Sequence, residues 1–129
     1  MLQTPHRFTL VAGSGEGDTT LTAFDKALLS AGVGNLNLLR VSSILPPGAE
    51  YSHQVEIPPG SLTPTAYGVI IGEVPGQRIA AAIGVGIMSG SFGVIMEFTG
   101  CARRLKLKPG LRKWCGKPWL LVMSFRRKL

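Results

Sequence analysis

Two adjacent serines, Ser42 and Ser43, stand between an apolar run and the breaker Pro46-Pro47-Gly48, at a place where a strand has to end. A peptide bond held in strain there can rearrange. The Ser43 hydroxyl attacks the Ser42 carbonyl, and the acyl group moves from nitrogen to oxygen. β-Elimination of the ester releases the Ser42 carboxylate, and the dehydroalanine left at residue 43 hydrolyses to a pyruvoyl group and ammonia. Taken alone the dipeptide is weak evidence, since most Ser-Ser pairs serve turns or caps. Other chemistries have less support. His6 lies near the chain start and His53 in a loop, and neither has an orienting partner for hydrolysis. Two distant histidines make no metal site, and Cys101 and Cys115 have neither metal nor redox spacing, as expected of free thiols in a reducing compartment.

The pair has to be positioned by the elements around it. An apolar run at residues 8–12 reads as a strand, and the glycine-rich residues 13–18 read as a tight turn. That turn lacks the Lys-Ser/Thr ending of a phosphate-binding loop. Thr19 or Thr20 caps a helix running to about Ala31, with Leu21, Phe24, Leu28 and Ala31 on one face, Asp25 beside it, and Gly32 and Gly34 ending it. Residues 35–41 read as a strand leading into the serines. Further strands are expected at 66–74, 78–87 and 92–98, and a short one within 51–56, with a turn at Pro75-Gly76. The sum is an α/β or α+β chain, a sheet against at least one helix.

The 129 residues allow one domain, and 45% apolar composition supports a core. A domain of this size buries a modest share of its surface, which favours oligomerisation. Residues 79–96 carry no charge, close to the length of a spanning helix, but Ser89-Gly90 in their middle reads as a turn between two buried strands, so no membrane is expected. The start of the chain shows no secretory pattern, and a cytoplasmic location is expected. Charge is split. Residues 1–100 hold four basic and seven acidic residues, whereas residues 101–129 hold ten basic and none acidic. Such a tail, with Trp114, Trp119 and Phe125, suits nucleic-acid contact, but it also suits a solvated extension or an out-of-frame ending. Nucleic acid is the less favoured partner.

Several segments resemble the pyruvoyl-dependent arginine decarboxylases. They are residues 10–17, Leu21-Thr22-Ala23-Phe24-Asp25, residues 34–47 around the serine pair, Pro64-Thr65-Ala66-Tyr67-Gly68, and Gly93-Val94-Ile95-Met96-Glu97-Phe98. The resemblance covers roughly residues 7 to 100 and implies an αββα sandwich and a trimer with active sites between subunits. It implies cleavage into a β chain, residues 1–42, and an α chain, residues 43–129, with Ser43 becoming a covalent pyruvoyl cofactor and no metal. It also implies conversion of L-arginine to agmatine and CO2 through a Schiff base, with the adjacent amide carbonyl as electron sink. A related decarboxylase acting on another amino acid, or an inactive copy, is the alternative.

By the same resemblance, Glu97 protonates the α-carbon. A carboxyl group doing so near neutral pH needs a setting that favours its protonated form, and Ile95, Met96 and Phe98 are the expected apolar neighbours. Asp25 receives the substrate guanidinium through paired hydrogen bonds, with Leu21 and Leu28 against its aliphatic stem. Asn37 binds the substrate carboxylate or the rearranging peptide. After about Gly100 the resemblance is expected to stop, because Pro109, Gly110, Gly116 and Pro118 exclude the helix that family members carry there. The C-terminal element is therefore expected to be altered or missing.

Overall fold

The computed structural model describes residues 3–101 and the strands at 121–123 and 126–127. The chain has an α+β fold with one helix among the described residues. The strands are β1 (Arg7–Phe8), β2 (Glu16–Gly17), β3 (Asn37–Arg40), β4 (Ile44–Leu45), β5 (Glu50–Tyr51), β6 (Leu62–Thr65), β7 (Ile79–Gly86), β8 (Gly93–Cys101), β9 (Leu121–Met123) and β10 (Arg126–Arg127), and helix α1 (Thr20–Ser30) follows β2. A four-stranded antiparallel sheet has the order β4-β8-β7-β9, and three two-stranded parallel ladders join β1 to β5, β10 to β2 and β3 to β6.

Helix α1 forms where its caps and spacing direct it. The Thr19 side chain accepts from the Thr22 N–H at 3.1 Å, satisfying one of the amides that a helix start leaves open. Phe24 and Leu28 turn inward as expected, but the buried face is shifted from the expected one at Leu21. Ala23 and Ala27 are 1% exposed while Leu21 is 68% exposed. The cause lies in residues 13–17, which were expected to form a turn. None of Gly13, Gly15 and Gly17 has a positive φ. Instead they line the chain up against α1, so that a methyl group on Gly15 would meet the Ala23 carbonyl oxygen at 2.5 Å and the Ala27 nitrogen at 2.6 Å. Glycines at every second residue face alanines one helical turn apart, and the two backbones approach until only hydrogen fits between them.

Strands β7 and β8 form the expected hairpin, with Gly90 at φ +72° in its turn. The uncharged segment is therefore two strands, and among the described residues no helix is long and apolar enough to cross a membrane. Ile79, Ala81, Ile83 and Val85 share one face of β7. Ile79 and Ala81 pack on Ala27 with Phe24, Val69 and Ile70, while Ile83 and Val85 pack on Leu45 and Ala49 with Phe8, Leu10 and Ile95. The strand expected at 66–74 is displaced. Pairing occurs at Leu62–Thr65, alongside β3 from Asn37↔Leu62 to Arg40↔Thr65, and Val69 and Ile70 pack beneath α1 without joining a ladder. The chain also ends in strands that the sequence does not suggest: β9 pairs with β7, Leu121 opposite Ile83, and β10 pairs with β2, Arg126 opposite Glu16. The aromatic residues proposed for base stacking, Trp114, Trp119 and Phe125, lie outside the described residues.

Candidate active site at the serine junction

Ser42 and Ser43 occupy the gap where the chain passes from one sheet to another. Upstream, β3 pairs in parallel with β6, and its last tie is the Val41 N–H donating to the Thr65 carbonyl at 3.2 Å. Downstream, β4 pairs antiparallel with β8, Ile44 opposite Val94 and Leu45 opposite Gly93. The first tie on that side is the Ile95 N–H donating to the Ser43 carbonyl oxygen at 2.7 Å. The peptide bond between the serines hangs between these two anchors. Both serines are exposed, and among the described residues neither hydroxyl makes a hydrogen bond. The expected strain does not take the form of an unusual φ, because every positive φ among the described residues belongs to a glycine. The bond is set apart by being the unpaired link between two ladders.

The register brings Glu97 to this junction. Continuing the β4–β8 pairing by one step sets Ser43 opposite Ile95, and side chains on directly opposite residues share a face. Glu97, two residues along β8, shares that face and lies one diagonal from Ser43, a separation of about 7–8 Å between backbones. Its setting differs from the expected apolar one. Met96 and Phe98 alternate to the other face of the strand. On Glu97's own face stand Ile95 and, directly across, Ile83. Its carboxylate, 26% exposed, meets Arg40, whose Nη2 is 3.5 Å from Oε2. Arg40 also lies over the Tyr67 ring, 4.9 Å from its centroid. Nothing local in the sequence joins Arg40 to Glu97. The parallel pairing of β3 with β6 carries Arg40 to the same junction.

The remaining residues sit elsewhere. Asn37 heads β3, and its Nδ2 donates to the Gly60 carbonyl at 2.6 Å while its N–H donates to Ser61, so its amide nitrogen anchors the loop before β6. Asp25 and Leu21 are on the exposed side of α1. Leu28 turns inward and lines an apolar cavity of about 280 Å³ together with Phe24, Val41, Ile44, Tyr67 and Ile95. The residues flanking the serine pair, Val41 and Ile44, thus form part of the wall of this cavity, and both serines remain exposed. No aspartate or glutamate lines it, so it offers a guanidinium no carboxylate partner. Among the described residues no cluster of three potential metal ligands occurs.

The fold and the junction define a small α+β protein built around a serine pair suspended between two sheets. Comparison with known proteins places it further. The profile of the family pyruvoyl-dependent arginine decarboxylase (PvlArgDC) matches residues 7–117, and the chain belongs to this family. The match continues past Gly100, where the resemblance was expected to stop. A pyruvoyl-dependent arginine decarboxylase of Methanocaldococcus jannaschii is 53% identical over 103 residues, 78% of this chain and 62% of the relative. One of Methanococcus vannielii is 51% identical over 98 residues, 74% and 60%, and one of Pyrococcus horikoshii is 42% identical over 113 residues, 85% and 72%. The chain thus spans about 60% of the length of the first two relatives.

Proposed function

We propose that this protein cleaves itself between Ser42 and Ser43 into a β chain, residues 1–42, and an α chain, residues 43–129, and decarboxylates L-arginine to agmatine and CO2. Membership of the family and the placement of the serine pair together support this reading. The residues present suit a pyruvoyl group at position 43: the site is exposed, it ends an unpaired link, and its own carbonyl oxygen is already held by a backbone donor. The group would supply an electron-poor carbonyl that condenses with the substrate amine and draws electrons from the breaking bond to CO2.

Glu97 then acts as the proton donor to the α-carbon, from the face of β8 that Ser43 shares. Ile95 and Ile83 limit water around its carboxyl group. The weak link to Arg40, about 1 kcal/mol or less for so exposed a pair, leaves that group free to exchange partners when substrate arrives. Asn37 holds the loop before β6 through Gly60, and its Oδ1 remains available for a substrate group.

Asp25 receives the guanidinium from a neighbouring subunit. Three observations support this placement. Asp25 is exposed, the cavity behind the serines contains no carboxylate, and large apolar side chains near these places stay in solvent in the single chain, with Leu21 68%, Leu29 65% and Ile44 55% exposed. Such surface favours association, and a trimer of αβ units fits it. Leu21 then covers the substrate's aliphatic stem from one chain, with Leu28 supporting the helix from within. The missing redox spacing of the cysteines fits a cytoplasmic setting.

Intact-mass measurement and labelled-CO2 release test the reading together. Two fragments that split between residues 42 and 43, the larger lacking a free amine, are expected, with CO2 release from arginine that is lost in Ser43→Ala. A parent chain that remains whole after long incubation refutes it.

A further inference from the structure

The bond from the Ile95 N–H to the Ser43 carbonyl oxygen stands out in the ladder it belongs to. At 2.7 Å it is shorter than the usual N–H···O distance of about 2.9–3.0 Å. In an antiparallel ladder the residues of such a pair exchange two bonds. Here, among the described residues, the return bond from the Ser43 N–H to the Ile95 carbonyl is not made. The ladder therefore grips residue 43 by its oxygen alone and leaves free the nitrogen that departs when the acyl group moves to the Ser43 hydroxyl.

We propose that the Ile95 N–H is the oxyanion donor for the elimination step of self-cleavage, an inference that rests on cleavage at Ser42–Ser43. In that step the Cα–H bond of residue 43 breaks, and its proton passes to solvent water, which reaches the exposed junction. The electron pair left on Cα spreads onto the residue's own carbonyl oxygen, the atom that the Ile95 N–H holds. The pair then returns to form the Cα=Cβ bond as the Cβ–Oγ bond breaks, and the Ser42 carboxylate leaves with the electrons of that bond. The negative charge thus passes through an oxygen already facing a fixed donor, and a donor held in a sheet needs no reorganisation when charge develops. The oxygen belongs to residue 43 before and after cleavage, so the donor stays in place for the finished site.

The side chain of Ile95 plays no part in this role, so the test removes the N–H itself. Residue 95 is replaced by the α-hydroxy analogue of isoleucine, which turns its amide into an ester. Residue 96 is replaced by the α-hydroxy analogue of methionine as the control. By strand alternation the Met96 N–H points to β7, so the control loses an equal ladder donor while leaving Ser43 held. Hydroxylamine, which splits the ester intermediate into a hydroxamate at Ser42, is read by intact mass against spontaneous conversion to two fragments, and cutting at the introduced backbone ester is told apart by the different fragment masses it gives. The expected result is that the Ile95 analogue still forms the hydroxylamine-sensitive ester but converts it about a hundredfold more slowly, while the Met96 analogue stays within a few fold of the parent. Equal conversion by the two analogues overturns the proposal. A parent chain that stays whole overturns the cleavage reading instead, so the two failures are distinct. In uncut, isotope-labelled Ser43→Ala, a scalar coupling across the hydrogen bond from the residue 95 nitrogen to the residue 43 carbonyl carbon is expected; its absence also overturns the proposal.

Discussion

A single methyl group on the glycine-rich segment tests how the site is assembled. In Gly15→Ala the new Cβ would lie 2.5 Å from the Ala23 carbonyl oxygen and 2.6 Å from the Ala27 nitrogen, where ordinary contact begins at 3.4 Å. Both obstacles are helix backbone, so no rotamer change relieves them, and the segment has to part from α1 by about an ångström. Overpacking of this kind costs about 1–3 kcal/mol, and backbone obstacles place it near the top of that range. Alanine also restrains the unfolded chain, which returns about 0.4–1 kcal/mol. The net loss is about 2 kcal/mol, a fall in Tm of about 5–10 °C for a domain of this size. Thermal unfolding followed by circular dichroism in an uncut Ser43→Ala background isolates the effect from cleavage. Gly48→Ala, where φ is +73° and no atom lies within 4 Å, is the control, expected to cost only the backbone strain of about 1–2 kcal/mol. Because α1 carries Asp25, the same shift is expected to raise KM for arginine in the cleaved enzyme. A Gly15→Ala variant that melts within about 2 °C of its background refutes the close-packing account.

Three further outcomes follow from the site. Asp25→Asn is expected to raise KM for arginine about tenfold or more, the worth of a charged hydrogen bond, while cleavage proceeds normally by intact mass; an unchanged KM removes Asp25 from the substrate pocket. Glu97→Gln is expected to lower kcat by about 10²–10⁴-fold, as for loss of a general acid, with both fragments still formed; near-normal turnover in steady-state CO2 release means that the proton comes from elsewhere. Thr19→Ala removes the acceptor for the Thr22 N–H and is expected to cost about 1 kcal/mol in chemical denaturation.

Much of the local structure was legible from residue types. Thr19 before an apolar-periodic run, with Gly32 after it, marked α1. The turn residues Pro75-Gly76 and Ser89-Gly90 divided the apolar segments where β7 and β8 begin and end. These features depend on a few neighbouring residues, and local backbone preference decides them. The glycine run at 13–17 was misread because glycine serves turns and close packing alike. The alternation of Gly13, Gly15 and Gly17, together with alanines at 23, 27 and 31, was a signal available in the sequence, but it acquires meaning only once the segment and helix are known to lie side by side.

The serine pair, and by resemblance its companions Asp25, Asn37 and Glu97, could be picked out before any fold was known, because chemistry restricts residue type. What the residues alone could not decide was which of them meet. Arg40 and Glu97 are 57 positions apart and come together because β3 pairs with β6 while β4 pairs with β8. The hold of Ile95 on Ser43 arises from the register of that second ladder, and Asp25 stays on the outer side of α1 because Ala23 and Ala27 take the inner one. Register is a property of two strands, and burial is a property of the packed whole. The sequence could therefore single out the Ser42–Ser43 bond as the candidate for cleavage, and only the tertiary structure could show that it hangs between two sheets with the Ser43 carbonyl oxygen already held.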